Sequence, residues 1–361
     1  MYRDISGEEL ASRIETEDAP FLLDVREPDE FAAWSIRGAA NVPIAELEAR
    51  LAEVPEEREI VTVCASGGRS SIAATALART GRRVANLAGG MAAWGTVYDS
   101  VTFDLGGVVA VQVRRRGKGC LSYLLGSGGE AFVVDPSLDL DHYLAIAAEH
   151  EWRITRVLDT HLHADHLSGA RALAETVGAT LHLNPADDFG FAYEPIADGQ
   201  RFDLPGGVSL GAVTVLTPGH TRGSTAYVVG DRAVLTGDTL FVDGVGRPDL
   251  AERAAEFARN LYRSLTERIL VLGDEVLVLP AHYGASVAVR PDEPVEIALG
   301  ALRRELAALS WPEQEFVAWA TERSTPRPPN YEAIIRANAA GRSIAASVRA
   351  GLELGPNRCS V

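Results

Sequence analysis

Thr160-His161-Leu162-His163-Ala164-Asp165-His166 packs three imidazoles and a carboxylate into six residues, and this stretch decides how the rest of the chain is read. Ionisable groups are costly to bury unless paired or bound to metal, so a run this dense implies a metal cage. The apolar residues before it, ending in Val157 and Leu158, predict a buried strand that stops at Asp159. Behind it Leu167, Ala170, Leu173, Ala174 and Val177 recur at helical spacing, which puts the cluster in a loop between strand and helix. The layout returns three times: apolar residues 213–216 run into Pro218-Gly219-His220, residues 233–235 into Gly237-Asp238, and residues 276–279 into Pro280-Ala281-His282. Four strand ends thus offer ligands to one sheet edge, with glycine or proline at the bends that deliver them. His142, His150 and His182 lack such company and are read as core or solvent histidines.

The chain has 361 residues, enough for two ordinary domains, and its 47% hydrophobic and 23% charged residues describe a globular protein. A formal net charge of −16 repels nucleic-acid phosphate and excludes a basic-groove function. There is no run of about 18 apolar residues to span a membrane. The start, Met1-Tyr2-Arg3-Asp4-Ile5, lacks the layout of a secretion signal, so a cytoplasmic location is expected. Cysteines at 64, 120 and 359 are too few and too scattered for a disulfide framework. Cys120 lies in a strand pattern and is expected to pack in the core, while Cys359, in a short tail, is expected to be an incidental exposed thiol. The basic run Arg114-Arg115-Arg116-Gly117-Lys118, between two apolar runs, is expected to be a solvated hairpin tip with no binding role. Composition and pattern shifts divide the chain into residues 1–98, residues 101–290, and a helical extension, residues 291–361, that packs on the second domain.

Residues 1–98 alternate short apolar strands with helix-like segments, the rhythm of a parallel α/β sheet. The strand ending at Val63 leads into Cys64-Ala65-Ser66-Gly67-Gly68-Arg69-Ser70. A cysteine there faces backbone N–H groups and the start of a helix, which together with Arg69 favour thiolate over thiol. A phosphatase would use a similar cradle, but cysteine-type phosphatase loops usually carry one residue more between cysteine and arginine.

Residues 23–31, 36–39, 41–43, the Cys64 loop and residues 87–94 resemble a single-domain rhodanese, with Trp34-Ser35 standing where Gly-His is common. That resemblance implies that Cys64 carries a persulfide and passes its outer sulfur to a thiophilic acceptor. Residues 161–166, Thr217-Pro218-Gly219-His220-Thr221-Arg222-Gly223-Ser224, Gly237-Asp238 and Pro280-Ala281-His282 resemble the sequential motifs of the metallo-β-lactamase superfamily. The implied fold is an α/β rhodanese-like parallel sheet followed by an αβ/βα sandwich with the metal at one edge. Gly237-Asp238-Thr239-Leu240-Phe241, residues 244–250 and residues 119–125 are similar to the persulfide dioxygenase branch.

By that resemblance one non-haem Fe(II) is held by His161, His220 and Asp238, a face that leaves positions open for water, O₂ and a substrate sulfur. His163, Asp165, His166 and His282 then orient ligands or substrate. Arg247 contacts a substrate carboxylate or braces the metal loop, with Asp249 as its partner. The implied reaction oxidises a low-molecular-weight thiol persulfide with O₂ to sulfite and free thiol, while Cys64 moves sulfur among thiosulfate, sulfite and a thiol. A dinuclear zinc thioester hydrolase of the hydroxyacylglutathione hydrolase type stays open, with His161, His163 and His220 on one zinc, Asp165, His166 and His282 on the other, and Asp238 bridging. A third reading is a non-enzymatic persulfide carrier or sensor. A homo-oligomer is compatible with all three.

Overall fold

The computed structural model describes residues 1–205, 211–248, 253–284, 286–323, 327, 330–341 and 344–360. Residues up to about 96 form a five-stranded parallel sheet in the spatial order Arg3–Ile5, Val84–Leu87, Ile60–Val63, Phe21–Asp24, Ala40–Asn41. Both faces of a parallel sheet are covered, which is why these strands read as unbroken apolar runs. Val61, Val63, Ala85 and Leu87 pack under Leu10, Met91 and Trp94 on one side, and Ile60, Leu23 and Val25 against Ala73, Ala74 and Leu77 on the other.

The second sheet begins at Tyr98 and has seven strands, ordered Glu194–Pro195, Thr180–Leu183, Arg153–Leu158, Glu130–Val134, Cys120–Ser127, Val109–Arg115, Tyr98–Asp104. A third sheet of six runs Arg201–Asp203, Gly211–Leu216, Thr225–Val229, Ala233–Gly237, Leu277–Pro280, Ile297–Ala298. Side chains alternate across each strand, and that period of two builds the layers. Leu121, Tyr123, Leu125, Phe132 and Val134 face inward onto Tyr227, Val229, Leu235 and Leu279, forming the core between the sheets. Val111, Leu124, Val133 and Val157 face outward under helices Asp141–Glu149 and Ala170–Val177. Across the molecule, Ala226, Val234 and Val278 pack under helix Ala254–Ser264 and the helices that follow residue 298. Helix, sheet, sheet, helix is the αβ/βα sandwich expected from the sequence.

The basic run corrects the sequence reading. Arg114 is 1% exposed and Lys118 3%, so this hairpin end is buried where the two domains meet. Its cations are used up internally. Arg114 pairs with Asp99 and donates to the carbonyls of Arg290, Pro291 and Glu293. Arg115 donates to Gly95 O and pairs with Glu353, and Lys118 donates to the carbonyls of Glu353 and Gly355. Trp34, the residue that departs from the rhodanese pattern, donates its indole N–H to Gly117 O at 2.9 Å and so docks the first domain on this hairpin. A turn that meets another domain and the chain's end has no local signature that separates it from a solvated one. Among the described residues no helix is long and apolar enough to cross a membrane.

Candidate metal centre and cysteine loop

Strand ends deliver the ligands as the sequence predicts. His161 follows strand Arg153–Leu158, Asp238 follows Ala233–Gly237, His282 follows Leu277–Pro280, and His220 follows Gly211–Leu216. Gly237 must be glycine: its φ is +54°, and a Cβ there would lie 2.6 Å from the Thr160 hydroxyl.

The Nε2 atoms of His161 and His220 stand 3.5 and 3.4 Å from Asp238 Oδ2. All three atoms are buried and lack a hydrogen-bond partner. The far side of each ring explains why. His220 Nδ1 donates to Arg247 O at 3.0 Å, which leaves Nε2 as the lone-pair nitrogen. Thr160 Oγ1 donates to the Asp135 carboxylate at 2.9 Å and is therefore free to accept His161 Nδ1–H, also at 2.9 Å. Two lone pairs and a carboxylate oxygen facing one point are mutually unfavourable unless a cation lies among them. Donors each about 2.1 Å from one ion are roughly 3.0 to 3.4 Å apart, close to the spacing found. The donor set therefore fits a divalent metal.

The other four predicted ligands are arranged differently. His282 Nδ1 is 2.6 Å from Asp238 Oδ1, His282 Nε2 is 2.8 Å from Asp165 Oδ2, and His166 Nδ1 is 3.0 Å from Asp165 Oδ1. The first is a hydrogen bond, shorter than the spacing of two ligands of one ion, whereas His282 Nε2 is close to Asp165 but has no hydrogen-bond partner. Burial pushes His282 and His166 down, but Asp165, joined by Asp238 for His282, outweighs it: His282 rises well above its usual range and His166 to about 10. Burial holds His220 down at about 4, ready to ligate as a neutral ring. His163 is held near 3 by burial and by its histidine neighbours; its Nε2 is 3.1 Å from Asp135 Oδ1, and its Nδ1 has no hydrogen-bond partner.

Several supports escaped the sequence reading. Asp135 sits at φ +53°, an uncommon conformation for a residue other than glycine, and there accepts from Thr160 N, Thr160 Oγ1 and His163. Asp187 ties two metal loops together, accepting from Leu162 N at 2.9 Å, Gly223 N at 2.7 Å and Thr221 Oγ1 at 2.9 Å. It stands just after strand Thr180–Leu183, so the same strand-end pattern could have found it. Asn338, from helix Tyr331–Ala340, donates to His163 O and His166 O at 2.9 and 2.8 Å and accepts from Ser168 N at 3.0 Å. A cavity of about 380 Å³ lies beside His161 and His163, walled by Leu167, Phe189, Phe191, Arg171 and Arg349.

Two cysteines are displaced from their expected settings. Cys120 is buried, but beside the metal loop, with Sγ 3.6 Å from Asp165 Oδ2. Cys359 is no exposed thiol: it is 2% exposed and shares a cluster with Asp238 and His282. Burial pushes its thiol up, and Asp238 and Asp165 push it further. The tail is held inward by Arg247, whose backbone N–H donates to Cys359 O and whose Nη1 donates to Arg358 O, at 2.8 and 2.9 Å. Arg247 is itself fully buried, a brace of the metal loop and the tail. Asp249 lies outside the described residues.

In the first domain Cys64 Sγ accepts from Gly67 N at 3.2 Å and Ser70 Oγ at 3.3 Å. Burial pushes this thiol up, but the bonds from Ser70, Ser66 and Gly67 outweigh it and leave it below the usual thiol range. Arg69 forms a two-pronged pair with Glu30, both contacts 2.7 Å, so backbone and hydroxyl donors, not the guanidinium, make direct contact with the sulfur.

Comparison with known proteins agrees with this architecture. Residues 6–96 match the rhodanese-like domain family and residues 115–282 the metallo-beta-lactamase superfamily. The mitochondrial persulfide dioxygenase ETHE1 of Bos taurus is 30% identical over 223 residues, 60% of this chain and 82% of that one. A hydroxyacylglutathione hydrolase of Anaeromyxobacter dehalogenans is 43% identical over 138 residues, 37% of this chain and only 51% of that one. The crystal structure of ETHE1 from Myxococcus xanthus superposes with a TM-score of 0.55 at 29% identity, covering 68% of this chain and 99% of that one. Fold, site and relatives together place the chain in the metallo-β-lactamase superfamily, with a rhodanese-like domain joined ahead of the sandwich.

Proposed function

We propose that the protein is a persulfide dioxygenase with a fused sulfurtransferase. The observation that carries this reading is the buried set His161, His220 and Asp238, which present unpartnered atoms to one point while Asp238 Oδ1 on the far side of the carboxylate is taken up by His282 Nδ1 at 2.6 Å. Two histidines and one carboxylate with open positions are the donor set of non-haem iron oxygenases, and Fe(II) bound there would supply the redox chemistry that dioxygen needs. The chain's own residues then do the rest. Thr160 and Arg247 O fix the tautomers of the two rings, and Asp187 holds the two loops in register. The cavity beside His161 is in the size range of small-molecule sites, and Arg171 and Arg349 on its wall suit a substrate carboxylate. The overall change is RSSH + O₂ + H₂O → RSH + SO₃²⁻ + 2H⁺. Cys64, its thiol lowered by Ser70 and the loop N–H groups, supplies or removes sulfane sulfur.

A dinuclear zinc thioester hydrolase is favoured by one observation, the lack of hydrogen-bond partners at His163 Nδ1, His166 Nε2 and His282 Nε2. Metal analysis and an oxygen electrode separate the two. The dioxygenase reading expects about one iron per chain, with sulfite formed mole for mole with oxygen consumed from a thiol persulfide. A zinc pair, thioester cleavage and no oxygen uptake with any persulfide would refute it.

A further inference from the structure

A cysteine that merely packs is surrounded by apolar groups, but Cys359 is surrounded by metal-site chemistry. Its sulfur shares a cluster with Asp238 and His282 in which the ligand atoms all lie within 4.8 Å of one another. Both other members of that cluster carry a buried atom with no hydrogen-bond partner, Asp238 Oδ2 and His282 Nε2. The residues around Cys359 form a strap. Asn357 donates its side-chain amide to Lys118 O and Tyr283 O, at 2.8 and 3.0 Å. Arg247 holds the carbonyls of Arg358 and Cys359, and Ser360 bridges Gly246 on the metal loop. Arg358 also reaches back to the first domain, donating to Ala33 O at 3.3 Å.

We propose that Cys359 is a resident sulfur carrier of the metal centre, taking sulfane sulfur from an incoming small-molecule persulfide and presenting it as its own persulfide for oxidation. The cluster that contains Cys359 includes neither His161 nor His220, so the bare thiol stops at the Asp238 side of the triad. A persulfide lengthens the side chain by one S–S bond, about 2 Å, which gives the outer sulfur the reach that the thiol lacks. Tethering also keeps that sulfur at high effective concentration. In the transfer step the Cys359 sulfur attacks the outer sulfur of RSSH. A new S–S bond forms, the old one breaks, and the proton lost by Cys359 leaves with RS⁻ as RSH. Oxidation then follows Cys–SSH + O₂ + H₂O → Cys–SH + SO₃²⁻ + 2H⁺, which restores the thiol. The oxidation half rests on the dioxygenase reading; the transfer half does not.

The test uses the full iron-loaded chain. Without oxygen it is mixed with cysteine persulfide, capped with iodoacetamide and cut after Glu353, and the peptide of residues 354–361 is weighed. It is expected to gain one sulfur atom, and to lose it as sulfite when air is admitted. Cys359→Ser is expected to lower kcat for oxygen uptake about a hundredfold, at the low end of what tethering supplies, with iron content retained. A peptide that never gains sulfur, or Cys359→Ser with unchanged kcat/KM, overturns the proposal. If the variant loses its metal, the wild-type peptide decides alone. A wild-type chain whose peptide takes up sulfur but that never consumes oxygen would support the carrier and sink the dioxygenase reading.

Discussion

Thr160→Val tests whether the hydroxyl behind His161 sets the metal site. Valine keeps the side-chain shape and removes only the oxygen that accepts from His161 Nδ1 at 2.9 Å and donates to Asp135 at 2.9 Å. Asp135 still receives Thr160 N at 2.6 Å and His163 Nε2 at 3.1 Å, so its loss is partly covered. His161 has no such cover. Metal-free, the ring can move its proton to Nε2 and donate to Asp238, but ligation demands the proton back on Nδ1, now buried without an acceptor. Leaving a buried donor unsatisfied costs about 1–3 kcal/mol. That cost falls on the metal-bound state alone, so affinity should drop by roughly 5- to 150-fold, in line with measured losses at comparable supporting residues. Competition with a chromophoric chelator reads this directly, and Thr160→Ser, which keeps the oxygen, should bind nearly as wild type. Affinity within threefold of wild type for the valine variant would refute the reasoning.

Asn338→Leu strips two acceptors' donor and one donor's acceptor from the loop of residues 163–168, so that loop should lose about 3 kcal/mol of local stability, visible as faster amide exchange there than elsewhere in the sandwich. Gly90→Ala would place a Cβ 2.1 Å from Cys64 O at a φ of +57°, so thiosulfate sulfurtransferase activity should vanish while metal content, read by mass spectrometry, stays at the wild-type level. Burial raises Glu353, but Arg115, Lys118 and His166 outweigh it and hold its carboxyl below the usual range. Its contribution to tail docking is therefore complete above the unfolded value of about 4.3 and is lost as pH falls through the lower folded value; amide-exchange protection of residues 357–360, taken relative to the intrinsic rate at each pH, should fall on that descent, and in Glu353→Gln it should be low throughout.

The strands and the candidate ligands at their ends were legible because each of their signals is local. A buried strand announces itself as an apolar run, and a ligand loop as polar residues at its end, so His161, His220, Asp238 and His282 could be placed at one sheet edge before any coordinates. The parallel first sheet followed from the alternation of apolar strands with helix-like segments, while the αβ/βα layering was implied by the metallo-β-lactamase resemblance. The division of labour among the seven candidate ligands was not legible. Residue type gives His282 and His220 equal claims, and only the structure shows that His282 Nδ1 is bonded to the Asp238 carboxylate at 2.6 Å while His220 Nδ1 donates to the carbonyl of Arg247 at 3.0 Å.

What the sequence hid was contributed by contacts between distant parts of the chain. Asn338 lies 175 residues from His163, and the bond from Lys118 to Glu353 spans 235. No periodicity relates such positions, so a basic hairpin that anchors the tail reads the same as one that faces water. The hairpin supplies a physical reason for residues 353–360 to pack against it. Buried on the hairpin, Arg115 and Lys118 require acceptors, and Glu353 with the carbonyl of Gly355 provides them. Glu353 also accepts from Leu167 N at 2.7 Å, and beyond it residues 358–360 run along the metal loop, held by Arg247 and Gly246. Neutralising a buried cationic hairpin and delivering a thiol to the metal centre are thus one structural event, and a substitution at Glu353 should disturb the site through Cys359 although it touches none of the triad.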